Sequence, residues 1–339
     1  MERKVGTAEL RENNANLIRK VLLATETSTK AFLASATGLS VATCGKILAA
    51  MVAQGEAVEL DLAAPDGGRP PRLFAYNPMY SLSALVFPKS LNGESRIVHS
   101  IRDAKGGVVE KGSLPVAKAD AGTIQDLIDG WRKRYPSIKA VAISIPGLVR
   151  DGVVGFCDLP ELEGVDLRAR LAMGDGVAVS MDNDMNLAAL GYFRAEMGDG
   201  SVVYMVVPRK NCTGAGIVVD GKVLVGHTRF AGELSFMPFN ISRERQFAGL
   251  PMDEAITYTA TLAAAVIPVI NPARLVVASE MVGGGALEGI RRECANHVPE
   301  EHLPEFVARS SIDDDCLEGL AVMAAMSIAR THSSLTAEE

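Results

Sequence analysis

The feature that most limits how this chain can fold is an order of segments that occurs twice between residues 79 and 339. "LSALVF", "SRIVHSI" and "GVVEKG" read as a three-strand meander, "TIQDLIDGWRKRY" as a helix, "KAVAISIPG" and "VAVSM" as strands, and "NLAALGYFRAEMG" as a helix. From "SVVYMVV" the series restarts. "GAGIVVD" and "GKVLVG" continue a meander, a long helix covers residues 252–269, "RLVVAS" is a strand, and helices fall near 285–294 and 317–331. Short apolar runs between Gly and polar residues favour strands, and apolar spacing of three and four favours helices. Two similar α/β halves predict a duplicated lobe with a ligand cleft between the copies. The halves are placed at 79–198 and 199–339, with the last helix free to pack back on the first lobe.

Residues 1–78 read differently. Leu10, Leu17, Ile18, Val21 and Leu22 recur at helical spacing and predict a helix over Thr7–Ala24. A short second helix is capped by Ser28 and ended by Gly38, and a third starts at Ser40, buries Ile47, Leu48, Met51 and Val52, and stops at Gly55. Two short helices joined by a Gly-containing turn make a helix-turn-helix. "AVELDL" and "RLFAY" then form two strands around the loop "AAPDGGRPP", the wing of a winged helix-turn-helix. In such a unit the third helix enters the major groove by its first turns, which puts Ser40, Thr43 and Lys46 on the reading side, while Arg69 and Arg72 lie on the wing. A docking unit without DNA is the other use of the same fold.

Charge bears on both readings. The net charge of −7 argues against a protein that binds polyanions over its whole surface. Residues 1–78 carry nine Lys and Arg against eight Asp and Glu, so they are slightly positive and the remainder strongly negative. The five cysteines and five histidines show no metal-ligand spacing. No apolar run reaches the roughly 20 residues that cross a bilayer, and the polar N-terminus lacks a secretory pattern, so the expectation is a cytoplasmic protein with no membrane partner.

The stretch "LRENNANLIRKVL…GLSVATCGKILAAMVAQGEAVEL…GGRPPRLFAYNP" resembles the DNA-binding domain of the ROK family of bacterial sugar-responsive repressors and sugar kinases, the Gly-Arg-Pro at 68–70 being its most specific part. "ISIPGLVRDGVV", "DNDMNLAALG", "GAGIVVDGKVLVG" and "AGEL" follow in the family's order. The implied fold is an N-terminal winged helix-turn-helix followed by an actin-like, sugar-kinase-like duplicated α/β domain. Val41 and Gly45 stand where family repressors usually have a basic residue and a serine.

Three phosphate-binding glycine turns of the family's kinases are replaced here: "PKSLNGES" follows the opening strand, Lys210-Asn211-Cys212-Thr213 precedes "GAG", and Ser279-Glu280-Met281 follows the second lobe's strand. Phosphoryl transfer depends on positioning the triphosphate, so losing this cradle removes turnover. The family's zinc motif is also gone, Phe236 standing at its histidine, and neither metal nor cofactor is expected. The sugar side is partly kept. By resemblance Gly147, Asn183, Asp184 and Glu233 border the sugar, with Asp184 at the catalytic-base position and suited also to capping a helix.

The implied function is a sugar-responsive repressor with a catalytically silent kinase-like domain. Its implied partners are operator DNA, a small-molecule carbohydrate effector and a second copy, as homodimer or homotetramer. An active sugar kinase with a fused DNA-binding domain and a ligand-blind dimeric DNA-binding protein are the alternatives.

Overall fold

A computed structural model describes residues 7–60, 71–91, 93–171, 173–174, 176–208, 211–280 and 284–334. Three helices open the chain: α1 (Thr7–Ala24), α2 (Lys30–Thr37) and α3 (Val41–Ala53). A small antiparallel sheet accompanies them, with β1 (Ser28–Thr29) and β2 (Ala57–Leu60) on either side of β3 (Leu73–Tyr76). Ile18, Leu22, Leu33, Cys44, Leu48 and Phe74 form the core of this unit. Arg19 of α1 pairs with Glu56, which is 2% exposed, and so ties the first helix to the start of β2. Gly38 takes the left-handed conformation that ends α2, and the Ser40 side chain caps α3. The cap of α2 differs from expectation: Thr29 accepts from Phe32 N, because Ser28 is buried as the ladder partner of Phe74.

The first lobe contains β4 (Leu82–Leu91), β5 (Glu94–Arg102), β6 (Val108–Val116), α4 (Ala121–Arg134), β7 (Ile138–Ile145), the hairpin β8 (Gly147–Arg150) and β9 (Val153–Cys157), α5 (Leu167–Arg170), β10 (Ala178–Asn183) and α6 (Asp184–Tyr192). The second contains β11 (Ser201–Val206), β12 (Gly214–Val219), β13 (Lys222–Val223), α7 (Arg243–Ala248), α8 (Met252–Ile270), β14 (Arg274–Ala278), α9 (Gly284–Cys294), β15 (Glu305–Arg309) and α10 (Asp313–Ser334). Their sheets run β10-β7-β4-β5-β6 and β13-β12-β11-β14-β15. In each, an antiparallel meander is extended by two parallel strands from its first member, so the two lobes share one topology. The β8–β9 hairpin, β15 and α7 are additions to the predicted elements.

Alternation along the strands assigns each face. Ala84 and Val86 of β4, with Val141 and Ile143 of β7, face α4, whereas Leu85, Phe87, Ala140 and Ala142 face inward. On the inner face the two lobes share one core, completed by Leu187, Tyr192, Tyr204, Leu317 and Leu320. The strands buried on both faces are the near-continuous apolar runs of the sequence. The helix Met252–Ile270 is long and apolar enough to cross a membrane by length and composition. Here Tyr258, Leu262 and Val266 bury one side of it in the second lobe's outer core.

At the centre α6 and α10, each following the last strand of its lobe, lie in contact. A Cβ on Gly191 would come within 1.8 Å of Asp315 O, and one on Gly319 within 2.0 Å of Leu187 O. The crossing is thus too close for any side chain at either position. We predict that Gly319→Val lowers the unfolding midpoint by several degrees, since overpacking costs roughly 1–3 kcal/mol. Gly285→Ala, where a Cβ meets open space, serves as the control and leaves the midpoint unchanged or slightly raised in the same calorimetric scan, since Ala favours the helix over Gly.

Candidate ligand-binding cleft

The cleft forms where β10 ends and α6 begins. Asn183, the last residue of β10 and the N-cap of α6, accepts at Oδ1 from Met185 N (2.9 Å) and Asn186 N (3.1 Å), and its Nδ2 donates to Gly147 O (3.0 Å) and Asp184 Oδ1 (3.1 Å). Its polar atoms therefore hold the helix start against the first-lobe hairpin, and the capping role expected of Asp184 belongs to Asn183. Gly147 serves the same joint, since a Cβ there would meet Phe156 O at 2.3 Å. Asp184 occupies the first turn and accepts from Met185 N at 2.9 Å. From the second lobe, Gly232 (φ 93°) lays the "AGEL" turn directly on β12, where a Cβ would fall 1.9 Å from Ala215 O. This close approach delivers Glu233 to the cleft wall.

Leu148, Asp182, Asn183, Asn186, Arg229 and Glu233 line the opening. Its free volume is about 30 Å³, room for roughly two waters. Two polar contacts join the lobes across it: Arg229 Nη1 to Asp182 Oδ1 (3.3 Å) and Asn211 Nδ2 to Asp158 Oδ2 (2.5 Å). Arg229 and Asn211 both hold positive φ, at 63° and 145°, which places both bridging residues in conformations that side chains rarely adopt. While these contacts hold, the free volume is too small for a six-membered ring.

Electrostatically the cleft is crowded with acids. Burial, and then the charge of Asp158, push the Asp184 carboxyl up to about 7. Burial also raises Asp158 and Glu233, and the Arg243 guanidinium pulls both back down. Ionised carboxylates only accept hydrogen bonds, so a site of this composition suits groups that donate them.

Of the sequence candidates, Gly147, Asn183, Asp184 and Glu233 come together. Asp158, Asn211, Arg229 and Arg243 were not singled out as cleft residues from sequence. The "SMDNDMN" run carries Asp182 together with Asp184 and puts Asp182 on the cleft wall, whereas Asp158 depends on a hairpin that periodicity does not show. Of the replaced phosphate turns, Lys210 and Met281 lie outside the described residues. After Phe87, β4 simply continues as a ladder with β5, pairing Lys89 with Arg96, and the Lys89 ammonium is held by Asp313 Oδ1 at 2.5 Å. Among the described residues no group of three or more His, Cys, Asp and Glu is placed to hold a metal ion.

At the N-terminal unit, Ser40 and Lys46 are exposed and Thr43 half-exposed at the start of α3. Ser40 Oγ caps Thr43 N (3.1 Å) and bonds Thr43 Oγ1 (2.8 Å). Arg72 is exposed but paired with Glu59 on β2. Arg69 lies outside the described residues.

Residues 92–251 match the model of the ROK family. The chain carries a ROK family domain. Similar proteins include a glucokinase of Halalkalibacterium halodurans, 27% identical over 159 residues, 42% of this chain and 46% of that one. A xylose repressor of Caldicellulosiruptor bescii is 24% identical over 245 residues, 68% of this chain and 60% of its own. The chain spans about half the length of the first curated relatives it matches. The crystal structure of a ROK family transcriptional regulator, a homolog of the E. coli MLC protein, superposes with a TM-score of 0.64 at 16% identity, covering 96% of this chain and 100% of that one. That likeness shows the α/β, sugar-kinase-like fold of the ROK domain with its mixed sheets.

Because the folded Asp184 favours its protonated form, its contribution to stability is fully present below the unfolded value of 3.8 and is lost as pH rises through about 7. Asp184→Asn, which removes the charge, should therefore raise the unfolding midpoint relative to the parent at pH 8.5 and much less at pH 5. An equal change at both pH values would contradict the placement of this carboxyl among acids.

Proposed function

We propose that this chain is a DNA-binding transcriptional regulator whose ROK domain senses a carbohydrate and has no kinase turnover. The observation that carries the reading is a helix-turn-helix with a β-hairpin, α1 to β3, joined to the cleft-bearing lobes in one chain, and a fold likeness covering 96% of it whose other member is a transcriptional regulator. On this reading residues 1–78 are a winged helix-turn-helix, 79–198 and 199–339 are the two lobes, and the operator is contacted by Ser40, Thr43, Lys46, Arg69 and Arg72. A homodimer, or a homotetramer, matches a palindromic operator and doubles the positive charge offered to phosphates. The first-turn side chains of α3 are short, with Val41 54% exposed, so base contacts are few and phosphate contacts matter more.

A physical route joins cleft and DNA unit. Asn183 and Asp184 begin α6, which lies on α10, and Glu318 of α10 accepts from Arg102 Nη2 of β5 at 2.5 Å. In the turn after β5, Ala104 N donates to Pro78 O (3.0 Å) and Lys105 Nζ to Thr25 O at the end of α1 (2.7 Å). A ligand that parts or recloses the lobes displaces α6, and α10 transmits the displacement to α1. The direction of regulation follows from which arrangement the sugar binds more tightly.

One feature favours turnover: burial and the charge of Asp158 push Asp184 up to about 7, which suits a carboxyl placed at a cleft for general-base work. A coupled ADP-release assay with a sugar panel decides between the readings, and release above background would overturn the silent-kinase assignment. For the DNA unit, an operator selected from a random duplex pool should lose affinity with Lys46→Ala, and its salt slope should fall by about 1. Unchanged affinity and slope would contradict groove docking by α3.

A further inference from the structure

Two contacts between the lobes issue from one short segment of the first, residues 156–158 at the end of the β8–β9 hairpin. Cys157 is buried in the first lobe's core and Asp158 N donates to Pro146 O at 2.8 Å, so the segment is fixed to that lobe while the Phe156 ring stays 54% exposed. From the second lobe, Asn211 Nδ2 donates to Asp158 Oδ2 at 2.5 Å. Arg243, the first residue of α7, sets its guanidinium 5.7 Å from the Phe156 ring centroid. The same guanidinium lies 4.0 Å from the Phe236 ring centroid of its own lobe, and its Nη1 donates to Ser235 Oγ at 3.2 Å. A planar cation placed over two rings is attracted by both, and here the two rings belong to different lobes.

One buried side chain joins the two arms of the second lobe. Gln246 of α7, 1% exposed, accepts at Oε1 from Thr213 N (3.1 Å) and donates from Nε2 to Tyr258 OH of α8 (3.0 Å), and its carbonyl accepts from Asn211 N (3.4 Å). Thr213 and Tyr258 are buried as well. A shift of α7 against residues 211–213 would strip a buried amide of its partners, so the arms move together or not at all. We propose that α7 and residues 211–213 form a clasp that closes on residues 156–158 and holds the two lobes together, with Arg243 and Asn211 as its two teeth and Gln246 as its anchor. The proposal rests on the two-lobed fold and its measured contacts, and it holds whether or not the chain is a sensor. A ligand too large for the closed cleft reaches it only as often as the clasp opens.

The test is single-molecule energy transfer on the full, ligand-free chain, with dyes carried on bioorthogonal residues at Glu163 of the first lobe and Glu301 of the second, both exposed. Phe156→Ala and Arg243→Met should each raise the ratio of open to closed molecules by about two- to fivefold, the factor that an exposed cation–π contact carries. Combining them should add little beyond either alone, because both remove the same contact. Arg243→Lys keeps the cation and should stay near the parent. Asn211→Gly, which suits the backbone there at φ 145°, removes the other tooth, and with Phe156→Ala should raise the ratio on the order of tenfold. Phe247→Ala is the control: its ring lies 5.9 Å from the same guanidinium but within the second lobe, so its loss leaves the ratio unchanged. An unfolding midpoint near that of the parent shows that the variants fold, and Phe156, half in solvent, keeps the test informative if a variant at Arg243 does not. Ratios unchanged by Phe156→Ala alone and with Asn211→Gly, or moved as much by Phe247→Ala as by Phe156→Ala, would overturn the clasp.

Discussion

The close crossing of α6 and α10 is the constraint on which the rest of the structure depends. Both helices leave the last strand of their lobe and meet backbone to backbone, with Gly191 facing Asp315 O and Gly319 facing Leu187 O. Cores resist continuous deformation, so two lobes joined through such a contact move as bodies rather than by local flexing. The crossing also fixes what lies at each end of α6 and α10. The cleft opens at the first turn of α6, while Lys89, Lys111 and Arg102 of the first lobe hold Asp313, Asp314 and Glu318 of α10. A duplication thereby becomes asymmetric: one copy's terminal helix begins at the cleft, and the other's passes close to α1.

The cleft itself is an arrangement of acids held in place by amides and arginines. Asn183 spends its polar atoms on the backbone and on Asp184, so its value is rigidity. Asp158 and Asp182 belong to the first lobe and their partners Asn211 and Arg229 to the second, so parting the lobes would take one donor from each carboxylate, Asp182 keeping those of Asn183 N and Asn186. Those are the groups that hydroxyls can satisfy, and an unmet buried acceptor costs roughly 1–3 kcal/mol.

Much of this was legible in the sequence because it was written in periodicity. The doubled order of strands and helices, the first helix and the Ser40 cap depend on local patterns and appear where those patterns put them. The β8–β9 hairpin was not legible, because "GLVRDGVVGFC" has no helical or alternating period and folds by pairing with itself. The second helix's cap moved by one residue because Ser28 was recruited to a strand by Phe74, a partner 46 positions away in the chain. In the cleft, the residues inside familiar runs were visible, while Arg229, Arg243 and Asn211 owe their roles to tertiary placement. A lone arginine carries no signal until the ring it stacks on is known.

On the function proposed, occupancy of the cleft is felt by the N-terminal three-helix unit through α6 and α10. Hydrogen–deuterium exchange on the full chain, with and without a neutral sugar that binds, tests it most directly. Changes in exchange at residues 182–192 should be accompanied by changes along 313–325, in the turn at 103–107 and in α1. Changes confined to the cleft walls, with α10 and the first 60 residues untouched, would contradict it.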